Sequence, residues 1–279
     1  MQKLSELNNI LFVIVIYKRH ISQSETFISL QKCICDLFEQ KIDIYIYDNS
    51  PIPQDINNNN KINFIYKHDP SNPGVSKAYN QACIEAEKMG KQWILIFDQD
   101  STLPLNFIYT YCNAINEVGH DVNVIAPIIY HKNILISPCR YFLHRGFRLY
   151  RIKYGKLIIK GHSLINSGLL IKVKSIKEIG YFDERLFDYS DHDLFLRFSK
   201  KNKYIKVIDL AIAHELSVLG IGNNVDDIYR FKKLALSSSH MAKKYSTYYP
   251  YLWLSYRAIK LFFVTKKIAY IQEVVKILR

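Results

Sequence analysis

Cysteine is scarce: Cys33, Cys35, Cys83, Cys112 and Cys139 are the five in the chain. Their number is odd and no Cys-x-x-Cys pair occurs, so a zinc site or a disulfide framework is not expected and buried, reduced thiols are. Glycine (10) and proline (8) are few, which excludes a collagenous chain. No Gly-x-x-x-x-Gly-Lys occurs, so a P-loop is absent. Ile10 to Tyr17 is apolar but far shorter than the ~20 residues of a membrane-spanning helix. The N-terminus has no basic stretch followed by a cleavage site, so no signal peptide is expected. We find no internal repeat and no convincing Ser/His/Asp or Cys/His set for covalent catalysis.

What is present is an ordinary globular balance, 49% hydrophobic and 23% charged over 279 residues. That suits one large domain or a domain with an appendage. Net charge is +13, for which nucleic acid and anionic membrane are the obvious targets. The excess is concentrated in the tail: Tyr229 to Arg279 holds eleven basic residues and one acid, Glu273. We therefore expect a main domain over residues 1–222 and a basic, aromatic-rich helical extension over 223–279.

The stretch that organises the chain is Trp93-Ile94-Leu95-Ile96-Phe97-Asp98-Gln99-Asp100. A continuous apolar run reads as a strand buried on both faces, and its two carboxylates fall where it leaves the sheet. Around it the pattern alternates. Strands are expected at Ile10 to Tyr17, Ile42 to Tyr47, Ile62 to Tyr66, Gln92 to Phe97, Val122 to Ile129, Ile165 to Ile171 and Tyr204 to Leu210, with His214 just past the last. Helices are expected at Ser22 to Gln40 (Phe27, Leu30, Ile34, Leu37 and Phe38 at helical spacing), Val75 to Met89, from Pro104, Ser175 to Gly180 and Asp188 to Lys200. From Asp226 onward the chain reads as helices broken near Tyr249-Pro250. Residues 131–160 loosen into short strands or loops. The fold class is α/β, with a Rossmann-like, mostly parallel sheet flanked by helices. Such sheets bind ligands beyond the carboxyl ends of their strands.

Several stretches carry chemistry, each beside a plainer reading. Asp98 and Asp100 can hold a hard divalent cation, although turns favour Asp anyway. Asp48-Asn49-Ser50 follows a strand; it is an Asx turn, or Asp48 accepts from the imide N–H of a uracil or thymine base. Asn72-Pro73-Gly74-Val75-Ser76-Lys77-Ala78-Tyr79-Asn80 enters a helix, either as an ordinary cap or as a loop whose Gly74 lets backbone approach an anion. Asp191 and Asp193 complement a helix dipole or supply a general base. His214 is a satisfied polar residue or a third ligand of the same metal.

The order of these stretches, with Asn166-Ser167-Gly168 and Phe182-Asp183-Glu184 followed by Phe187-Asp188-Tyr189-Ser190-Asp191, resembles the family 2 glycosyltransferases of the GT-A fold over about Ile10 to Gly220, and among them the rhamnosyltransferase-like members. The resemblance implies a metal-dependent, inverting glycosyltransferase of bacterial surface polysaccharide synthesis, O-antigen or capsule. It implies Asp48 on the nucleobase, with Asn49 and the backbone at Tyr17 beside it. It places Asn72, Gly74, Lys77 and Asn80 on the donor, together with Gln99. Asp98 and Asp100 would hold Mg²⁺ or Mn²⁺ and the donor ribose, and His214 the metal and diphosphate. Asn166, Ser167 and Gly168 would line the sugar pocket. Asp191 would be the base, with Asp193 second, because many relatives carry Glu-Asp where this chain has Ser190-Asp191. The donor is then a dTDP- or UDP-linked sugar and the acceptor a saccharide, lipid-linked.

In the tail, Tyr248-Tyr249-Pro250-Tyr251-Leu252-Trp253-Leu254-Ser255-Tyr256 precedes Ile259, Leu261, Phe262, Phe263 and Val264, with lysines interspersed. It is either an interfacial helix on anionic lipid or a cap packed on the main domain. A cytoplasmic protein, peripheral on the inner face of the membrane, is expected. The rivals are a sugar nucleotidyltransferase, whose N-terminal Gly-rich loop is missing at Ile16-Tyr17-Lys18-Arg19, a non-enzymatic nucleic-acid or membrane binder, for which no zinc-finger or RNP-type sequence speaks, and a catalytically idle membrane scaffold of the same fold. No nucleic-acid partner is expected.

Overall fold

Seven apolar residues in a row form the first strand, β1 (Ile10–Ile16), and all seven are buried. A strand with no polar face must be covered on both sides. In the computed structural model, which describes residues 4–35, 37, 40–119, 121–215 and 226–279, helices supply that cover.

In chain order the first half comprises β1, α1 (Glu25–Ile34), β2 (Ile42–Asp48), β3 (Ile62–His68), α2 (Val75–Lys88), β4 (Trp93–Asp98), β5 (Ser101–Thr102) and α3 (Phe107–Glu117). The second half comprises β6 (Val122–His131), β7 (Ile134–Ser137), β8 (Cys139–Phe142), β9 (Arg145–Arg148), β10 (Gly155–Ile158), β11 (His162–Ser163), β12 (Leu169–Lys172), α4 (Val173–Glu178), α5 (Ser190–Lys201), β13 (Tyr204–His214), α6 (Asp226–Lys244), α7 (Tyr249–Thr265) and α8 (Ala269–Leu278). The main sheet runs β10-β13-β6-β12-β4-β1-β2-β3, with β5 on β13 and β7 on β6. β3, β2, β1 and β4 are parallel neighbours, as are β6 and β13. β12 runs antiparallel between β4 and β6. A small sheet of β11, β8 and β9 stands apart.

Most expected elements form, with shifted edges. Ser24 caps α1, accepting from the Phe27 N–H, and α1 ends at Ile34, short of Gln40; Phe38 lies outside the described residues. Pro104 does not start a helix. Its carbonyl accepts from the Phe107 N–H in a turn, and α3 begins three residues later. Asn166-Ser167-Gly168 is a turn rather than strand, because Gly168 takes a φ of +83°. Asp188 is not in α5, and β13 continues through His214. The expected boundary at 222/223 falls outside the described residues.

Two cores lie on either side of the sheet. One packs α1 and α3 against Phe12, Ile14, Leu95 and Phe97. The other packs α2 and α5 against Val13, Ile94, Ile96 and Ile171. The side chains alternate because successive strand residues point to opposite faces. The last three helices share a third core around Phe231, Leu254, Ala258, Tyr270 and Val274. They are fastened to the main domain by ion pairs from Arg230 to Asp188 and from Lys244 to Asp183 and Asp193. The tail is therefore a packed cap. No described helix is long and apolar enough to cross a membrane.

Candidate functional site

Register builds the site. Ile16 pairs with Asp48 across β1/β2, and Val15 pairs with Asp98 across β1/β4, so both carboxylates leave the same edge of the sheet. Directly after Asp100, β5 pairs antiparallel with the end of β13, setting Ser101 opposite His214. Asp98, Asp100 and His214 are thereby brought together, with one ligating atom from each within 4.8 Å of the others.

A hydrogen-bonded chain fixes this cluster. His214 Nδ1 pairs with Ser101 Oγ at 2.9 Å, Ser101 Oγ with Ser167 Oγ at 2.7 Å, and the Asp98 N–H donates to Ser167 Oγ at 3.3 Å. Tyr79 donates its hydroxyl to Asp98 Oδ1 at 2.9 Å. Thr26 Oγ1 donates to the Asp98 carbonyl at 2.6 Å, and Ser24 Oγ to the Gln99 carbonyl at 2.8 Å. Ser167, Ser101 and Tyr79 are fully buried, so the carboxylates stand on a rigid floor.

The cluster fits a divalent cation. Two carboxylates and an imidazole are a suitable donor set for a divalent cation. Asp100 Oδ1 is buried without a hydrogen-bond partner and lies 3.4 Å from His214 Nδ1. Burial, then the like charge of Asp98, pushes the Asp100 carboxyl up to about 6, against the pull of His214. A cation relieves both penalties.

Around it, the other expected donor residues fall into groups. The Tyr17 N–H donates to Gln99 Oε1 at 2.9 Å, closing β1 against the Asp98-Gln99-Asp100 turn. Asp48 is fully buried. It accepts from the Ser50 N–H, Gln54 Nε2 and the Tyr66 hydroxyl, so the Asx-turn bond is real and two further donors cover it. Asn49 Oδ1 is buried without a hydrogen-bond partner. Asn72 (φ +46°) and Gly74 (φ +96°) shape the entry to α2, and a Cβ on Gly74 would meet Phe187 at 3.3 Å. Lys77 pairs with Asp69 at 3.1 Å. Asn166 Nδ2 donates to Ser190 Oγ at 3.2 Å while its Oδ1 stays buried without a hydrogen-bond partner. Gly168 cannot be replaced without a clash: a Cβ would sit 2.8 Å from Pro127.

Two expectations need correction. Asn80 spends its amide on Phe182 and Glu184, and it borders a cavity of about 510 Å³ between α2 and residues 179–185 that holds none of the three clustered residues. It braces a loop and offers the donor no group. Asp193 is fully buried; its carboxylate accepts from Arg197, the Tyr245 hydroxyl and Lys244. A carboxylate clamped by two cations is an anchor for the tail, not a base. Asp191, two residues earlier, is partly open and lines a cavity of about 500 Å³. Its Oδ1 accepts from the His192 N–H at 2.7 Å. Burial first, then the charges of Asp98, Asp100 and Asp191, push the Tyr79 phenol well above its ordinary value.

Residues 12–180 match the model of glycosyl transferase family 2. The chain belongs to this family. No curated protein sequence matches it. Among solved structures, the family member is similar to residues 1–349 of S. aureus TarS at 15% identity, over 84% of this chain and 72% of that one, with a TM-score of 0.52. It is also similar to GalNAc-T7 with UDP, GalNAc and Mn²⁺ (9% identity, 82% and 51%, TM-score 0.54). A third is the mannosyltransferase PcManGT of Pyrobaculum calidifontis with GDP-Man and Mn²⁺ (11%, 84% and 64%, TM-score 0.54). At such identities the likeness establishes the GT-A fold alone. Membership favours a glycosyltransferase over the nucleotidyltransferase and nucleic-acid-binding alternatives.

Sequence reasoning missed Tyr79, Ser101 and Thr26 as the props of the acidic pair. Tyr79 lay inside the Asn72–Asn80 stretch and Ser101 next to Asp100, so proximity was the available signal.

Proposed function

We propose that this chain is a metal-dependent, inverting glycosyltransferase that moves a sugar from a nucleoside diphosphate to a saccharide hydroxyl. The observation that carries the reading is the Asp98/Asp100/His214 cluster at the edge of the sheet; a separate, partly open carboxylate, Asp191, stands on the wall of a cavity of its own. Asp48, Asn49 and the backbone at Tyr17 form the nucleobase side of the donor site, Asn72, Gly74 and Lys77 its phosphate-facing loop, and Asn166-Ser167-Gly168 its sugar side. Asp98, Asp100 and His214 would hold Mg²⁺ or Mn²⁺, which would supply positive charge to offset that developing on a departing diphosphate.

Asp191 accepts the proton of the acceptor hydroxyl. The freed oxygen attacks the anomeric carbon from the face opposite the diphosphate, a new C–O bond forms, and the bond to the diphosphate oxygen breaks with its electron pair. One displacement inverts the centre and needs no covalent nucleophile. Ser190, held by Asn166, starts α5, and the helix start orients Asp191 toward the cavity. A positioned general base is worth about 10²–10⁴ in rate.

The donor we assign is rhamnose on dTDP, with UDP sugars as the alternative nucleotide class. The acceptor is lipid-linked, in bacterial surface polysaccharide synthesis on the cytoplasmic face of the membrane. The outer side of α7 supports this: Leu252, Ile259 and Phe263 recur at helical spacing and are each at least half exposed, with Lys266 and Lys267 close behind in the chain. An apolar stripe edged by lysines suits an anionic lipid surface.

The melting temperature with Mn²⁺ and dTDP, UDP or GDP tests the donor class. A ligand at a hundredfold excess over Kd stabilises the fold by about 2.7 kcal/mol. A rise with one nucleotide, absent in Asp98→Ala, is expected; no rise with any of them refutes the reading.

A further inference from the structure

The positive charge has a second centre besides the tail. From Val122 to Lys177 the chain carries eleven lysines and arginines and not one acid. Two of them are answered from outside the segment, Lys156 by Asp121 and Lys177 by Glu87. Arg140, Arg148, Arg151, Lys153 and Lys160 are exposed and make no ion pair among the described residues. They lie on the β8–β9 hairpin and around β10, and the Tyr141 N–H donates to the Gly161 carbonyl at 2.8 Å, which brings the end of that stretch back beside β8.

Register sorts the hairpin into two faces. Arg140 stands opposite Phe147 and Phe142 opposite Arg145, and residues paired across strands project to the same side. The alternate positions turn inward: Cys139 is buried, the Tyr141 ring centre lies 4.6 Å from that of His192 on α5, and a Cβ on Gly146 would meet Cys139 Sγ at 3.0 Å. The outward face is therefore a checkerboard of two arginines and two phenylalanines, with Phe142 56% and Phe147 39% exposed. Just beyond β9, Tyr150 is 87% exposed, with the Arg148 guanidinium 5.6 Å from its ring centre. Trp253 joins this face to α7. Its indole donates to the Leu143 carbonyl at the tip of the hairpin at 2.7 Å. Its ring centre lies 4.6 Å from the Arg145 guanidinium and 6.4 Å from the Phe147 ring centre. Leu252, next to Trp253, opens the exposed stripe that continues through Ile259 and Phe263.

We propose that the outward face of the β8–β9 hairpin, with Tyr150 and Arg151, docks on an anionic lipid bilayer beside the α7 stripe, so that the main domain itself, and not only its helical cap, meets the membrane. The inference rests on the membrane reading of α7 for the choice of lipid over other polyanions, and on nothing in the catalytic chemistry. Aromatic rings interleaved with arginines suit the headgroup layer, where the rings bury their apolar faces and the cations meet anionic lipid. The α7 stripe supplies apolar burial and the hairpin supplies charge. One weak anchor gives marginal, reversible attachment, and stable attachment takes two. Two contacts on one continuous surface also fix how the domain is oriented on the bilayer.

Sedimentation of the full chain with phosphatidylglycerol vesicles at low salt tests this, with phosphatidylcholine vesicles and a DNA duplex as comparisons. Each cation at an anionic surface is worth about fivefold in binding. Arg140→Gln/Arg148→Gln/Arg151→Gln is therefore expected to bind phosphatidylglycerol about a hundredfold more weakly than wild type. Phe142→Ser/Tyr150→Ser removes two exposed rings without changing the charge and is expected to bind about tenfold more weakly. Both should keep the wild-type melting temperature, since every changed position is exposed. Wild-type sedimentation by both hairpin variants overturns the inference; if Ile259→Ser/Phe263→Ser then fails to sediment, the α7 reading survives alone. Equal binding of wild type to phosphatidylcholine, or no binding to either lipid, also overturns it. So does undiminished binding of Phe142→Ser/Tyr150→Ser with DNA bound as tightly as vesicles, which would mark a charge-only polyanion face. The glycosyltransferase reading is judged separately, by the melting-temperature rise with nucleotide and Mn²⁺.

Discussion

The hydroxyl of Tyr79 donates to Asp98 Oδ1 at 2.9 Å from a fully buried ring on α2. That bond aims one carboxylate oxygen and leaves the other for a ligand. Groups that orient metal ligands are commonly worth ten- to a hundredfold in affinity or activity. Tyr79→Phe keeps the packing against Phe182, whose ring centre lies 5.2 Å away, and is expected to weaken Mn²⁺ binding about tenfold by calorimetry while costing about 1 kcal/mol of stability. Unchanged Mn²⁺ affinity would remove Tyr79 from the site.

Metal binding should depend on pH through Asp100. Its carboxyl is raised to about 6 by burial and then by Asp98, above the ordinary value of 3.8. The protonated form is thus favoured in the folded, metal-free protein. The stability this contributes is present below about pH 4 and is lost as pH rises through about 6. A cation competes with that proton, so Mn²⁺ affinity is expected to climb between about pH 5 and 7. Asp100→Asn should flatten the metal-free stability profile over the same window in urea titrations; a wild-type profile already flat there would contradict the assignment.

Asp191 and Asp193 stand two residues apart and should behave as opposites. Asp193→Ala deprives Arg197 and Tyr245 of their carboxylate and leaves Lys244 with Asp183 alone, and it is expected to cost about 3–5 kcal/mol, the usual consequence of breaking a buried ion pair. Asp191→Asn should leave urea stability nearly unchanged and lower turnover about 10²–10⁴-fold. Comparable stability losses in both variants would mean that Asp191 is also an anchor.

The outer stripe of α7 predicts membrane contact that is separable from stability. Ile259→Ser with Phe263→Ser removes two exposed side chains. The double variant is expected to lose sedimentation with phosphatidylglycerol vesicles at low salt and to keep the wild-type melting temperature within about 2 °C, as surface changes usually do. Equal sedimentation of wild type and variant would exclude this face.

Much of this was legible in the chain itself, for a physical reason. Trp93–Phe97 can only be a strand covered on both faces, so Asp98 and Asp100 had to emerge at a sheet edge. That His214 reaches them depends on the β5/β13 pairing, a two-residue strand too short to leave a period in the sequence. The misjudged residues failed for similar reasons. Asn80 lies one step from Tyr79 on the same helix, and that single step turns it from the carboxylates to Phe182 and Glu184. Asp193 and Asp191 share the first turn of α5 and read alike as helix-start acids; only the docking of α6, which delivers Lys244 beside the Tyr245 hydroxyl, tells them apart.

The account stands most directly on cation binding at the sheet edge. Electron paramagnetic resonance of Mn²⁺, titrated into the full chain with a saturating nucleoside diphosphate, counts the free ion. Wild type and Asp191→Asn are expected to remove about one equivalent from the free pool, while Asp98→Ala and Asp100→Ala leave it free. Undiminished Mn²⁺ uptake in the Asp98 and Asp100 variants would contradict the account.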